Sequence, residues 1–425
     1  MEKFEHTVSL HSLNSGSTTL RDSFHGDRDD DKLKSSLGPE ADGIPNGGFL
    51  AWCQVLGSFF LAFNCWGLTN GFGVFQTYYE TELLRDQSPS SISWIGSTQG
   101  FILSVISILA GPAYDAGYFH FLLYTGTFLI VFGFMMTSIC TSYWQVMLSQ
   151  GVVVGLGAGC LGVPAVAILP QYFTTKRAMV NGVAMCGSSA GFGWTTRILA
   201  FIALGTLIIP IAIMRIRTLP KSIRTIWSWT AFKELPYDFA ITGMFFGYAG
   251  LYIPMFYVQS VALHTHSVSQ NLAFYMLPIL NAASIPGRIL PNLVANKLGA
   301  LNVFVPTLLI ASIFIFSWTA MGSESGILAF SILYGFFSGT ILSLPQIVII
   351  SLAPSLDVVG TRLGAFYAIG ALGMLIGNPV AGELVGSVGE YTGLQVFSGA
   401  CALCCACMFL AARFSKTGLH LAVRV

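Results

Sequence analysis

The chain has 425 residues, 54% of them hydrophobic and only 9% charged, against roughly 25% charged in an ordinary soluble domain. That balance excludes a typical cytosolic enzyme, and a net charge of +1 lacks the basic footprint nucleic acid requires. Setting aside the polar residues 1–46 leaves 379, enough at about 20 apolar residues per crossing for roughly twelve membrane-spanning helices with short loops.

Residues 1–46 hold nine acids and five bases and no apolar run that could seed a core, so they are expected to be a disordered cytoplasmic tail. No apolar segment follows a basic start there, so the first hydrophobic helix is expected to direct insertion. No Asn-x-Ser/Thr sequon occurs in the chain. Apolar stretches then recur at about Phe49–Thr77, Ile92–Ala113, Phe119–Thr137, Trp144–Ile168, Ala178–Gly191 and Trp194–Met214. Six more follow at Tyr237–Gln259, Gln270–Val294, Asn302–Met321, Ile327–Ile350, Leu363–Val385 and Tyr391–Phe414.

If the first stretch runs outward, thirteen of the fifteen Lys and Arg beyond the tail lie on the cytoplasmic side, and only Arg85 and Arg197 lie outside. This positive-inside bias predicts an even number of crossings with both termini cytoplasmic. The longest polar connection, Arg215–Pro236, carries five bases and one acid. It divides the chain into an N-terminal six-helix half (47–214), a linker (215–236), a C-terminal six-helix half (237–414) and a short tail (415–425). Small-residue runs with proline recur in the fourth stretch (Gly155–Pro164) and the tenth (Tyr334–Pro345). Such paired interruptions in two halves point to a secondary transporter with a midplane site.

Several segments in order, NGGFLAW (Asn46–Trp52), GVFQTYYE (Gly73–Glu80), GPAYDAGYF (Gly111–Phe119), GLGAGCLGVPA and SIPGRILPNLVANKLG (Ser284–Gly299), resemble the fungal monocarboxylate-porter-like branch of the major facilitator superfamily. The resemblance implies an all-α polytopic membrane protein with the major facilitator fold, twelve transmembrane helices in two halves of six. It implies a plasma-membrane or vacuolar carrier of a small organic molecule, either a nutrient carrier or an exporter attached to a secondary-metabolite pathway. It also implies a helix 1 lysine and a helix 8 aspartate four residues before an arginine. Here Asn70 and Ser284 stand at the first two positions, Arg288 is kept, and Asn46 replaces an acid before the first helix.

The residues themselves give a compatible reading. No Asp or Glu falls near the middle of a predicted stretch, so tight proton symport is not expected. Arg288 is the strong base that falls inside a stretch rather than beside its end or in a loop, and such a residue is by default a functional candidate, with snorkelling to the interface as the alternative. Facing a cavity, it attracts an anionic or hydrogen-bonding group of the substrate. Trp66, Asn70, Tyr252, Asn281 and Ser284 are the further substrate-binding candidates. Asn64, Tyr248, Tyr257, Tyr334, Tyr367 and Asn378 also suit a lining, each with helix packing as its alternative. In the turn Gly111–Gly117, Gly111, Asp115 and Gly117 form a candidate gating latch, Asp115 accepting from the start of the following helix. The glycines Gly155, Gly157, Gly159 and Gly162 lack the lysine of a phosphate loop and predict close helix packing. Cys401, Cys404, Cys405 and Cys407 have no histidine partners and read as small apolar residues. Neither a metal nor a cofactor is expected, and no obligate protein partner is evident.

The fifth stretch is short. Arg362 to Tyr391 spans 29 residues where Arg177 to Trp194 spans 17. Ala178–Met214, at 37 residues, is about 55 Å as a helix, too long for one crossing and short for two. A shortened fifth helix is expected, from either a mis-assigned intron or a real deletion, and sequencing the transcript across Gly191–Phe192 separates these. The expected function is a secondary transporter of a small organic molecule working by alternating access. The alternative is a receptor-like or degenerate carrier disabled by the incomplete helix.

Overall fold

In the computed structural model, which describes residues 47–172, 196–216, 229, 231–264, 268–354, 358–385 and 390–418, four of the helices begin at a serine cap. Helix α1 is Phe49–Leu83 and α2 is Pro89–Asp115. Ser88 caps α2 by accepting from Ser91 N–H at 3.1 Å, with Pro89 in the first turn where its missing N–H costs nothing. Gly117, at φ 91°, makes the turn into α3 (Phe119–Thr137), a conformation that an L side chain would strain. Helix α4 is Tyr143–Ala167, opened by a Ser142/Gln145 capping box. Helix α5 is Thr196–Ile213, the sixth predicted stretch. The fifth stretch, Ala178–Gly191, on which the expected shortening falls, lies outside the described residues.

Helices α6 (Leu235–His264), α7 (Gln270–Leu298), α8 (Ala300–Trp318), α9 (Glu324–Leu352), α10 (Val359–Glu383) and α11 (Thr392–Thr417) complete the described fold. Ser269 and Ser323 cap α7 and α9. Nine of these helices are long and apolar enough to cross a membrane. The 29-residue α7 falls short in apolarity because it carries Asn281, Ser284, Arg288, Asn292 and three internal prolines. Large apolar side chains such as Phe121, Phe128, Trp144 and Ile313 are exposed on the outside, each 65%. Ser, Thr, Asn and Gln are buried among the apolar side chains of the interior. Apolar residues on both the outside and the inside suit a lipid solvent, in which polar groups must find partners inside.

Two predicted interruptions come out differently. Helix α4 continues through Pro164, whereas α9 is broken at Leu344 just before Pro345. Helix α6 is interrupted at Tyr252 before Pro254. Proline there supplies no N–H to the Gly250 carbonyl, which instead accepts from Ser398 Oγ of α11 at 2.8 Å. Tyr334 of α9 donates to the next carbonyl, Leu251. Removing Ser398 Oγ (Ser398→Ala) takes one of the Gly250 carbonyl's two partners and leaves the Tyr252 N–H, and is expected to cost about 0.5–1.5 kcal/mol, read as a lower unfolding temperature of the detergent-solubilised protein.

Glycines set the closest helix crossings. A Cβ on Gly157 would stand 2.8 Å from Ile130 N, and one on Gly159 2.5 Å from Ile106 Cβ, so α4 packs tightly on α3 and α2. Side chains at Gly287 of α7 and Gly339 of α9 would strike the partner helix's backbone, at Phe336 and Ser284 respectively. The apolar interior falls into two clusters. One lies within α1–α5 and includes Leu61, Leu103, Ile130 and Leu161. The other fills α6–α11 and takes in Phe72, Tyr79, Ile92 and Ile95 from α1 and α2.

On the face where α6 and α10 begin, Arg362 Nη1 donates to Glu234 Oε2 at 2.8 Å, and its guanidinium lies 5.0 Å from the Tyr237 ring centroid. The hydrogen bond from Arg362 holds the Glu234 carboxyl below its ordinary range. A depressed carboxyl pKa contributes stability above the unfolded value and loses it as pH falls through the folded one. Thermal stability is therefore expected to decline modestly below the ordinary glutamate range, and less so in Glu234→Gln. The effect is small because Glu234 is 43% exposed.

Candidate substrate site

A π-helical turn at Phe63–Gly67 interrupts the regular α-helical bonding of α1. Such turns re-aim side chains within a helix, and here Trp66 and Asn70, one turn apart, reach the same central cavity. The cavity is small: the non-atom space among its side chains is about 280 Å³ with open solvent included. Facing α1 are Tyr248 and Tyr252, immediately before the break in α6, and Arg288 of α7. The break in α9 adds Leu342 and Gln346, one on each side of Pro345, and α10 adds Tyr367.

Arg288 is 1% exposed and within electrostatic reach of Tyr248 and Tyr252, so it stays in the interior and does not snorkel to an interface. Among the described residues lining the cavity there is no carboxylate. A guanidinium walled by aromatic rings and two amides, Asn70 and Gln346, favours an anionic or strongly accepting group on a flat or apolar body.

Of the sequence-predicted candidates, Trp66, Asn70, Tyr252 and Arg288 meet here, joined by Tyr248 and Tyr367. Asn281 and Ser284 are buried on α7 but do not line the cavity: Ser284 Oγ donates to the Asn281 carbonyl at 2.7 Å, back along its own helix. The other polar candidates are used in packing. Asn64 Nδ2 donates to Thr206 Oγ1 at 2.9 Å, Asn378 Nδ2 to Ser97 Oγ at 3.2 Å, and Tyr334 to the Leu251 carbonyl. Gln346 and Leu342 were not anticipated; the available signal was the Leu-Pro-Gln break in the tenth stretch.

The predicted Gly111–Gly117 turn is shorter in the structure: Gly111 lies within α2, whose last residue is the buried Asp115, and the turn begins at Ala116, where Gly117 N–H donates to the Tyr114 carbonyl at 3.0 Å. Gln171 Nε2 donates to the Tyr114 hydroxyl at 3.1 Å, tying this turn to the segment after α4. The four cysteines of α11 do not converge: Cys401 and Cys405 are buried against Gly250 and Gly247 of α6, while Cys404 and Cys407 are exposed.

Above the cavity, at the end where α1 finishes, a polar seam joins α1 and α2 to α6 and α10. Helix α1 continues past the predicted end at Thr77 to Leu83, and this brings Glu80 to the seam. Ser260 Oγ donates to Glu80 Oε2 at 2.8 Å, Gln76 Nε2 donates to Oε1 at 2.6 Å, and Thr77 Oγ1 lies 3.2 Å from Ser260 Oγ. Ser90 Oγ donates to the Pro379 carbonyl at 2.9 Å, and Ser93 bonds Tyr257. Gly73 lets α1 approach so closely that a Cβ there would strike the Met255 carbonyl oxygen of α6. The i, i+4 pair Gln76–Glu80 was the sequence signal for this seam, hidden by ending the helix too early.

The helix arrangement has solved counterparts. The nucleoside transporter NupG superposes with a TM-score of 0.64 at 15% identity, covering 86% of this chain and 100% of that one. The human organic anion transporter MFSD10 (TETRAN) gives 0.62 at 13% identity, over 85% and 98%. The fold is that of the major facilitator transporters, an all-α multi-pass membrane protein. No family model matches the chain. Among curated proteins, the MFS-type transporter dbaD of Emericella nidulans is 40% identical over 376 residues, covering 84% of this chain and 85% of that one. An MFS-type transporter of Gibberella zeae is 34% identical over 388 residues, 87% and 88%. The aspyridones efflux protein apdF of Emericella nidulans is 35% identical over 390 residues, 88% and 80%. The chain belongs to the major facilitator superfamily, and it is a membrane transporter of small molecules, not an enzyme; nothing in these relatives favours the receptor-like alternative.

Proposed function

We propose that this transporter exports an organic anion by alternating access, with residues 47–214 and 237–414 as two six-helix halves rocking around the Arg288 cavity. The observation that carries this reading is a buried guanidinium in a central cavity whose described lining holds no acid. Export is supported by the efflux named for one relative and by the absent helix 1 lysine and helix 8 aspartate, at Asn70 and Ser284. Membership of the fungal monocarboxylate-porter-like branch rests on the segments quoted above. The positive-inside bias supports cytoplasmic termini, which puts the Glu80 seam on the outer side, and the plasma membrane is the proposed location. Gly111, Asp115 and Gly117 are proposed as the hinge on the cytoplasmic side, and Asn281 and Ser284 as supports that fix the register of α7 behind Arg288.

The test is flux in proteoliposomes with radiolabelled benzoate as probe, alongside metabolite profiles of medium and cells with and without the gene. Time-dependent benzoate flux and a compound lost from the medium on deletion are the expected results. Saturable benzoate binding without flux, with unchanged metabolite levels, would overturn the reading.

A further inference from the structure

A second, small cavity, about 220 Å³ of non-atom space with open solvent included, adjoins the first and shares three of its walls, Tyr248, Tyr252 and Leu342. Beyond that shared waist it is lined by Leu251 and Met255 of α6 and by Ser338 and Ile341 of α9. Its existence follows from the helix breaks. Residues around the interruption of α6 at Tyr252 and residues just before that of α9 at Leu344 line it together. Tyr334 bridges the two helices below, by donating to the Leu251 carbonyl. The gap between the helices is left unfilled above that bridge.

The chemistry of this annex differs from that of the Arg288 cavity. Leu251, Met255, Ile341 and Leu342 are aliphatic, and the one hydroxyl beyond the waist, Ser338 Oγ, is spent on the Gly335 carbonyl of its own helix at 2.8 Å. At the waist, the Tyr252 hydroxyl is buried and has no hydrogen-bond partner among the described residues. A buried polar atom in that condition is costly unless a ligand satisfies it. The two cavities thus form a head chamber and an apolar side chamber with a polar atom between them.

We propose that the annex is the tail pocket of the substrate site, so that the protein carries amphipathic organic anions. Their acidic head sits at Arg288 and their alkyl or aryl tail lies between α6 and α9. This rests on the reading of Arg288 as the head anchor. An ether, carbonyl or hydroxyl oxygen near the ring-to-tail junction would meet the Tyr252 hydroxyl.

The experiment uses the full-length protein reconstituted in nanodiscs and the series benzoate, 4-ethylbenzoate, 4-butylbenzoate and 4-hexylbenzoate, with affinity read by displacement of a radiolabelled member. Partition into empty nanodiscs is subtracted. Burying a methylene is worth about 0.8 kcal/mol, or roughly four-fold in affinity, so the native protein should gain about that factor per methylene until the annex is full. Filling the annex with Ile341→Phe, and independently with Ser338→Phe, should flatten the series. A series that is flat in the native protein overturns the tail pocket while leaving Arg288 as anchor. One that is equally steep in both filled variants places the tail elsewhere and also overturns it. Arg288→Ala should weaken every member by the same factor. If it weakens none while the filled variants still flatten the series, the tail pocket stands and the anchor reading fails.

Discussion

Replacing Arg288 with alanine is expected to reduce benzoate flux in proteoliposomes to the background of empty vesicles, with surface protein retained. A hydrogen bond to a charged group contributes about 1.5–3 kcal/mol, so losing the guanidinium should weaken anion binding roughly ten- to hundred-fold. Surface protein measured in parallel separates a loss of binding from a loss of the fold. Arg288→Lys should fall between native and alanine. It restores the charge on a side chain of similar length but not the planar two-pronged donor that matches a carboxylate. Native flux in Arg288→Ala would place the anion elsewhere in the bundle.

A leucine at Gly73 is expected to stop transport without unfolding the protein, whereas a leucine at Gly287 should prevent the folded protein from accumulating. Both glycines sit where an added Cβ would strike the backbone of another helix, Met255 for Gly73 and Phe336 for Gly287. Overpacking usually costs about 1–3 kcal/mol when side chains can shift, and a carbonyl in a helix yields less readily than a side chain. The difference lies in what each crossing does. Gly287 lies on the α7–α9 crossing inside a single half of the proposed transporter, so the clash exists in every state. Gly73 lies on the α1–α6 seam, which alternating access must open and close. Leucine there should hold the seam apart, leaving the protein able to bind from the outer side and unable to cycle. Surface level, substrate binding and flux measured on the two variants separate these outcomes. Full flux in Gly73→Leu would mean that the seam does not close during transport.

The sequence carried the membrane character, the succession of helices and the class of protein because these depend on summed composition. A stretch such as Phe119–Thr137 is apolar enough to partition into lipid whatever it packs against. Serine caps at Ser88, Ser269 and Ser323 and the glycine turn at Gly117 are likewise local chemistry. Arg288, Trp66, Asn70 and Tyr252 could be nominated because a polar or basic group within an apolar stretch must be satisfied internally. Where each such group is satisfied was not legible. Asn64 and Asn378 were equally good candidates, and they are bonded to Thr206 and Ser97 instead.

A lipid-facing surface and a packed interior are both apolar, so helical periodicity, which orients helices in a water-soluble protein, gives little contrast here. The sequence by itself determined that this chain crosses a membrane many times, and where most of its helices start and stop. Those properties are sums over residues that are near one another in the chain. Only the tertiary structure decided that Gln346 and Tyr367 join Arg288 and that Glu80 sits in a seam with Ser260. It alone decided that residues beside the breaks in α6 and α9 line one apolar annex. Each of these depends on which helix faces place their side chains together, and that is fixed by backbone approach at glycines such as Gly73 and Gly287, far apart in the chain.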